Sequence, residues 1–514
     1  MKMVKSLLLG SAVGLVAVAG AQAADLPVKA KPVEYVKVCS LYGAGYWYVP
    51  GTDTCIKLGG YLRFQMEWNA NAGGTALGQG GAVTGGRETR VDTNELAYRS
   101  RAALSMDLRT QTEYGTLRSY MRGGFQITSP GDGGSPNVYW DRGFLQFMGF
   151  TAGLAQSFFD ILSFAPFSYG NARILGDTGA TGITLFAYTM QLGNGLSFTL
   201  SLEDGGANAA GNNNGGTASR GRTTVNADQT AFNLGATNFD NAGNRFWDVV
   251  GALRLDQAWG TAQIAAAAHD LSGGYYGTTL TGAALSGHPS DKWGWAVTGG
   301  FILTNFLGMR GDTLGFQATY SEGAVGYATR ATGAWQLYGS GNQVALGWLV
   351  DGVFRGTGTA ANPFTDVELT KVWDVGAVYE HLWSTKWRTS LYGGYSHVDY
   401  NGNATASLCA NAAGVVPVVG PFSPSALAGT GTNFSNCNPD FSWWWIGSRT
   451  QWNPHPDIDI GVDVMYTKIN TAFAGTASLA ASGARPSTAA SGLYNIDDQG
   501  IVSVMMRWQR NFIP

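Results

Sequence analysis

Charge is scarce in this chain. Asp, Glu, Lys and Arg make up 13% of 514 residues, where roughly 25% is usual in a soluble domain. The formal net charge is only -3, and so weak a balance argues against nucleic acid as a partner. Long apolar runs are equally rare. Outside the first two dozen residues no segment offers the ~18 consecutive apolar residues of a membrane-spanning helix. The five histidines, His269, His288, His381, His397 and His455, are scattered. No Gly-x-Ser-x-Gly elbow, His-Glu-x-x-His pair or phosphate loop occurs, so an enzyme is not expected. The cysteines number four: Cys39, Cys55, Cys409 and Cys437. None forms a Cys-x-x-Cys pair or is flanked by histidine, which disfavours zinc, and no cofactor is expected.

The start of the chain reads as a secretory signal. Lys2 and Lys5 supply the charged region, Leu7 to Ala19 the apolar region, and Ala21-Gln22-Ala23 a small-residue cleavage site. Removing residues 1–23 takes the formal charge from -3 to -5. Export implies an oxidising compartment where disulfides persist. Four cysteines allow three pairings. The expected one is local, Cys39 with Cys55 and Cys409 with Cys437, because it closes two short loops.

What the chain has in abundance is glycine (74 residues), aromatic residues (12%) and strict alternation. In 56–68, Ile56, Leu58, Leu62, Phe64, Met66 and Trp68 oppose Lys57, Tyr61, Arg63, Gln65 and Glu67. In the last segment Val502, Val504, Met506, Trp508 and Phe512 oppose Ser503, Arg507, Gln509 and Asn511. Such segments predict strands at 55–68, 95–110, 115–127, 138–148, 150–157, 182–192, 195–203, 246–257, 260–270, 292–304, 312–321, 371–382, 386–399, 441–452, 457–468 and 501–512. That makes sixteen. Short connections alternate with long ones, the order expected of a transmembrane β-barrel with short periplasmic turns and long extracellular loops. A soluble sandwich also alternates, but it has no need for Trp or Tyr near so many strand ends. The long loops are rich in Gly, Asn, Ala, Ser and Thr, as in Gly211 to Gly216. One stretch, Val344 to Phe354, is apolar enough to add a hairpin at 331–354 and raise the count to eighteen.

Several segments resemble the alphaproteobacterial general porins. They are Val36-Lys37-Val38-Cys39, Tyr42-Gly43-Ala44-Gly45, Pro50 to Arg63, Gly149-Phe150-Thr151-Ala152-Gly153, Gln156-Ser157-Phe158-Phe159-Asp160 and Arg507-Trp508-Gln509-Arg510-Asn511-Phe512. The resemblance implies an all-β fold, a 16-stranded antiparallel barrel with an inward-folded constriction loop, assembled as a homotrimer in the bacterial outer membrane. It also implies an open channel for small hydrophilic solutes and ions, in contact with outer-membrane lipid and lipopolysaccharide. The chain departs from the family pattern in carrying Ile513 and Pro514 after Phe512, and Arg510 two positions before it. The expected organisation is a signal peptide (1–23), a periplasmic-side segment (24–54) and the barrel (55–512). The outer wall of the first strands and the last, with small outward residues Ala102, Ser119 and Gly123, is the expected contact between barrels.

A barrel of sixteen strands is too wide for side chains to fill, so whatever narrows it decides function. The expected constriction lies between loop 158–181 and a basic wall. Phe158, Phe159, Phe164 and Phe167 would pack the loop inside, with Asp160 and Asp177 facing the pore. Arg63, Arg101, Arg118, Arg122 and Arg142 fall on inward faces of the first four strands and would supply the opposite charge. Two other readings stay open. A sugar-type specific channel would use an aromatic slide of Tyr61, Tyr120, Tyr392, Trp443 and Trp445. A structural or adhesive surface barrel would need only the wall and loops. A TonB-linked carrier needs a plug of over a hundred residues, which is not expected ahead of Cys55.

Overall fold

The computed structural model describes residues 38–68, 84–86, 96–129, 136–170, 176–178, 182–206, 220–226, 241–243, 245–276, 287–329, 333–339, 342–356, 364–409, 433–478 and 493–512. The predicted signal peptide, the Gly211–Gly216 run, Ile513 and Pro514 lie outside them. Sixteen strands form the wall: Thr54–Trp68 (β1), Leu96–Thr112 (β2), Gly115–Ser129 (β3), Asn137–Phe147 (β4), Phe150–Ala155 (β5), Ile183–Gly193 (β6), Leu196–Glu203 (β7) and Asp248–Gln257 (β8). They continue with Gly260–Leu271 (β9), Lys292–Thr304 (β10), Thr313–Glu322 (β11), Lys371–Ser384 (β12), Trp387–Asp399 (β13), Phe441–Trp452 (β14), Ile458–Asn470 (β15) and Gln499–Phe512 (β16). Each pairs antiparallel with its sequence neighbours, and β1 pairs with β16 from Gly60↔Phe512 to Trp68↔Val504, so the sheet closes. Closure removes the free edges that hydrocarbon does not tolerate.

The period of two sorts the side chains. Leu62, Leu104 and Ile264 point outward and are 57–62% exposed, which is stable only against lipid. Trp68, Trp247 and Trp293 ring the long-loop rim, and Trp259, Trp383 and Trp387 the other, where amphipathic rings suit the membrane boundary. The turns at that second rim are tight. Phe147 and Phe150 close a two-residue turn in which Met148 and Gly149 both take positive φ (52° and 84°). This geometry matches the twist of a hairpin.

The long loops fold back into one side of the barrel. Inward side chains of β12 to β15, among them Val372, Tyr392, Trp443, Trp445 and Ile469, are buried with loop residues Leu162, Phe164, Val344 and Leu346 in one apolar cluster. The hairpin expected at 331–354 exists, as Gly333–Gly339 against Gln343–Leu349, but it belongs to a separate six-stranded sheet and adds nothing to the wall. The barrel therefore has sixteen strands. The reason is visible in Val344 to Leu349, an unbroken run buried on both faces. A lipid-facing strand alternates, while a strand covered on both sides reads as continuously apolar.

Both local disulfides form, Cys39–Cys55 and Cys409–Cys437, with Cα separations of 6.0 and 5.9 Å. Trp47–Tyr48 pairs back onto Cys55 and Ile56, so the N-terminal segment from Val38 folds against the short-turn end of β1.

Candidate functional site

Cross-strand register lays out the inward wall of β16, β1, β2, β3 and β4 as a grid. One row reads Gln509–Arg63–Arg101–Gln126, and the next toward the long loops reads Arg507–Gln65–Arg99–Thr128. Further toward the short turns, Arg122 lies opposite Arg142 on β4. At the short-turn end Arg109 lies opposite Arg118, beside Asp107. A β-bulge between β3 and β4 skips Asp141 in the register. A bulge re-aims side chains, and here it lets Asp141 reach Arg122 at 3.2 Å although it adjoins the inward Arg142.

The inward loop, described over 156–170, 176–178 and 182, leaves β5, and its first part crosses the lumen along the far wall. At its base Glu203 accepts from Ser157 Oγ (2.6 Å) and from the Phe158 N–H (3.0 Å). Next, the Leu162 N–H donates to Gln317 Oε1 on β11 at 3.0 Å. Further on, the Pro166 carbonyl accepts from Arg449 on β14 and the Phe167 carbonyl from Ser390 on β13. At the tip Asp463 of β15 gathers Ser168 Oγ (2.8 Å), Tyr169 N–H (2.5 Å) and Gly170 N–H (3.3 Å) on Oδ2, and Tyr392 O–H (2.5 Å) on Oδ1. The Tyr169 ring sits 4.1 Å from the Arg507 guanidinium and 5.4 Å from that of Arg449. Burial pushes the Tyr169 phenol up to about 12 against the pull of both cations, so it stays a neutral donor. It gives its hydrogen to Gln451 at 3.3 Å. The loop thus covers the side from β9 to β15, while the wall from β16 to β4 keeps partly exposed guanidiniums.

The predicted residues divide sharply. Arg63 and Arg101 share one row, and Arg122 and Arg142 share another. Arg118 is apart from both, held near the short-turn rim by Asp107 at 2.9 Å. Asp160 corrects the expectation of a pore-facing carboxylate: it is 6% exposed, paired with the buried Arg220 at 2.8 Å and accepting from Thr178. Its partner lies in another long loop, where no local pattern announces it. Asp177 is half-buried and accepts from Ser163 Oγ at 2.8 Å. The aromatic slide fails in part as well. Trp443 and Trp445 are 1% exposed and Tyr392 is 2% exposed, all under the loops and out of reach of a passing solute.

A family model described as "Porin subfamily" matches residues 25–500. The chain belongs to this porin family. The relatives include Porin Omp2b of Brucella abortus, 33% identical over 276 residues, spanning 50% of this chain and 64% of the relative. Porin Omp2a of Brucella melitensis is 36% identical over 222 residues, spanning 40% of this chain and 56% of the relative. The chain therefore covers less than two thirds of the length of these relatives. The crystal structure of the outer membrane channel DcaP of Acinetobacter baumannii shares the fold, with a TM-score of 0.54 at 14% identity over 90% of this chain and 99% of that one. Family, relatives and closed barrel place the porin in the outer membrane.

This porin has functional candidates that the sequence reading did not single out. Arg99 and Arg507 lie in the inward phase of β2 and β16, so alternation reaches them. Gln65, Gln126 and Gln509 share that phase and carry the arginines: Arg99 donates to Gln65 Oε1 (3.0 Å), Arg101 to Gln126 Oε1 (2.9 Å) and Arg63 to Gln509 Oε1 (2.6 Å). Asp463, in the inward phase of β15, anchors the tip of the loop.

Proposed function

We propose that the chain is a general diffusion porin: a water-filled channel that lets small hydrophilic solutes and ions cross the outer membrane passively, with no catalytic role. One observation carries the reading. The loops cover one side of the barrel, yet Arg63, Arg101, Arg122 and Arg507 on the opposite wall remain partly exposed while Arg99 and Arg142 are buried, so water reaches a charged path along the lumen. A purely structural barrel has no use for such a path. The constriction lies between the Ala165-Pro166 turn of the inward loop, which is exposed, and the wall of Arg63, Arg101, Arg122 and Arg142.

The working unit is a homotrimer, joined through the outer wall of β16 and β1 to β3. Ala102 and Ser119 are small outward residues there. Gly123 contributes differently from the expectation, because the Trp140 ring lies over it: a Cβ on Gly123 would come within 2.9 Å of that ring. Trp140 thus smooths the wall at the edge of this face. Single-channel recording of the refolded full-length mature protein tests the proposal. Steady conductance in three equal steps is expected. A folded protein that never conducts would remove the porin reading, and one that conducts in single steps would remove the trimer.

A further inference from the structure

We infer that Arg63 and Arg101 form a built site for small oxyanions, and that the channel passes such anions in preference to cations. The inference rests on the channel reading above and adds the class of solute.

The two arginines are direct cross-strand neighbours on β1 and β2. Like charges in that position destabilise a sheet, so an offsetting carboxylate is the ordinary solution. Neither row holds one. Across both rows, Gln509–Arg63–Arg101–Gln126 and Arg507–Gln65–Arg99–Thr128, four cations stand among amides and a hydroxyl. Among the described residues these four donate to neutral groups: Gln509, Gln126, Gln65, the Tyr61 hydroxyl and the Tyr169 carbonyl. An amide oxygen orients a guanidinium by accepting from its N–H, but it does not cancel the charge. Flat rings complete the mount. Arg63 lies 4.3 Å from the Tyr61 ring and Arg101 4.3 Å from the Tyr139 ring. Stacking fixes the face of a guanidinium; with Nε of Arg63 on Gln509 and Nε and Nη2 of Arg101 on Gln126, the other Nη groups are the donors a ligand can reach.

Most nearby carboxylates are engaged elsewhere, and Glu67, buried one inward step beyond Gln65 on β1, acts on Arg99 rather than on Arg63 or Arg101. Asp141 pairs with Arg122, and Asp107 with Arg109 and Arg118. Asp160 pairs with Arg220, and Asp463 holds the loop tip. Asp177 is tied to Ser163. The inward loop therefore offers the rows no exposed, uncommitted acid among the described residues. Around Arg63 and Arg101 the two rows are therefore locally positive, while the acids of the loop and of β15 lie toward the other wall. An oxyanion bridging Arg63 and Arg101 would take N–H donors from both forks, and Arg507 one row on offers the next position. Partial exposure to water keeps the binding weak enough for release, as conduction requires.

The test uses the full-length mature protein in planar bilayers under a potassium chloride gradient, with inorganic phosphate as the probe. The expected reversal potential lies on the anion side, and added phosphate reduces the chloride current in a saturable way. The double variant Arg63→Gln, Arg101→Gln should lose the anion preference. It should also need more than roughly tenfold as much phosphate for half-reduction, since two charge-assisted contacts are lost and one alone accounts for about tenfold. The substitution removes a like-charge pair, so the variant should fold at least as well. Arg118→Gln, whose parent is paired with Asp107, should keep the phosphate effect. A conducting channel whose current ignores phosphate, or whose reversal potential is cationic and unmoved by the double variant, overturns the inference while leaving the porin reading intact. If no steady conductance is seen, the porin reading and the selectivity fall together. Phosphate titration by calorimetry in detergent then still decides the site: binding to the parent and not to the double variant supports it, and equal heats overturn it.

Discussion

Replacing Asp463 by alanine should release the tip of the inward loop without opening the barrel. Four hydrogen bonds end on this carboxylate, from Ser168, Tyr169, Gly170 and Tyr392. A hydrogen bond to a charged acceptor contributes about 1.5–3 kcal/mol net, and an unserved buried donor costs about 1–3 kcal/mol. The four do not add fully, because water can enter once the tip moves. The two hydroxyls can also turn toward other acceptors. Counting only the two backbone N–H groups that cannot turn gives about 3 kcal/mol, or roughly a hundredfold rise in the open population of the tip. Asp463→Asn keeps one acceptor oxygen in place and should cost about 1 kcal/mol, the difference between a charged and a neutral acceptor. Amide hydrogen exchange in detergent measures this directly. Protection at Tyr169 and Gly170 should fall by about two orders of magnitude in the alanine variant, with strand amides of β1 and β2 unchanged. The same variant should show larger and noisier single-channel currents. If Tyr169 and Gly170 kept full protection, the tip would be held by something other than Asp463, and the account of the loop given above would be wrong.

Three further outcomes follow from the geometry. Replacing Cys39 and Cys55 by serine should lower the stability of the folded segment 38–53 by about 3 kcal/mol in the chain-entropy account of a 16-residue separation; limited proteolysis should cut there first while the barrel resists, and an unchanged cleavage pattern would contradict this. In the turn before β11, burial alone would raise the Asp312 carboxyl, but donors from His381, Leu382 and Tyr379 outweigh it and hold the group below its ordinary 3.8. A depressed carboxylate stabilises above its unfolded pKa and stops doing so as pH falls through its folded value, so exchange protection of this turn should stay level down to about pH 4 and decline below it, and Asp312→Asn should remove that decline. Leu104→Ala on the lipid face should leave conductance and reversal potential unchanged, and a shift in either would mean that β2 is turned the other way.

The wall of this protein is legible in its sequence because lipid and water press on opposite faces of each strand. That demand writes a period of two into every crossing, and the sixteen predicted strands match the observed ones to within two residues at each bound. The lumen is legible only in phase. Alternation says that Arg63 and Arg101 point inward, but it does not say that glutamines flank them. It cannot foresee the bulge that brings Asp141 to Arg122, since one inserted residue leaves no mark on composition. The loops were the least legible part. Asp160 and Arg220 meet across 60 residues of chain, and the hairpin at 333–349 finds its cover in the barrel interior rather than in its own neighbourhood. Such contacts depend on where the wall delivers each loop, so they follow from the whole fold and not from any window of sequence.

The arginine rows straddle the seam where the two ends of the chain meet. Arg63 and Gln509 touch across 446 positions of sequence, and Arg507 lies beside Gln65 only because β16 has found β1. Contacts of such separation carry the largest closure entropy and are among the slowest to form. Arg63 and Arg101 share the first hairpin, but the Gln509 mount of Arg63 and the next position at Arg507 cannot exist until β16 is in place. A barrel left ajar at the seam would keep the arginines of its first hairpin and lose the part of the track that the last strand brings.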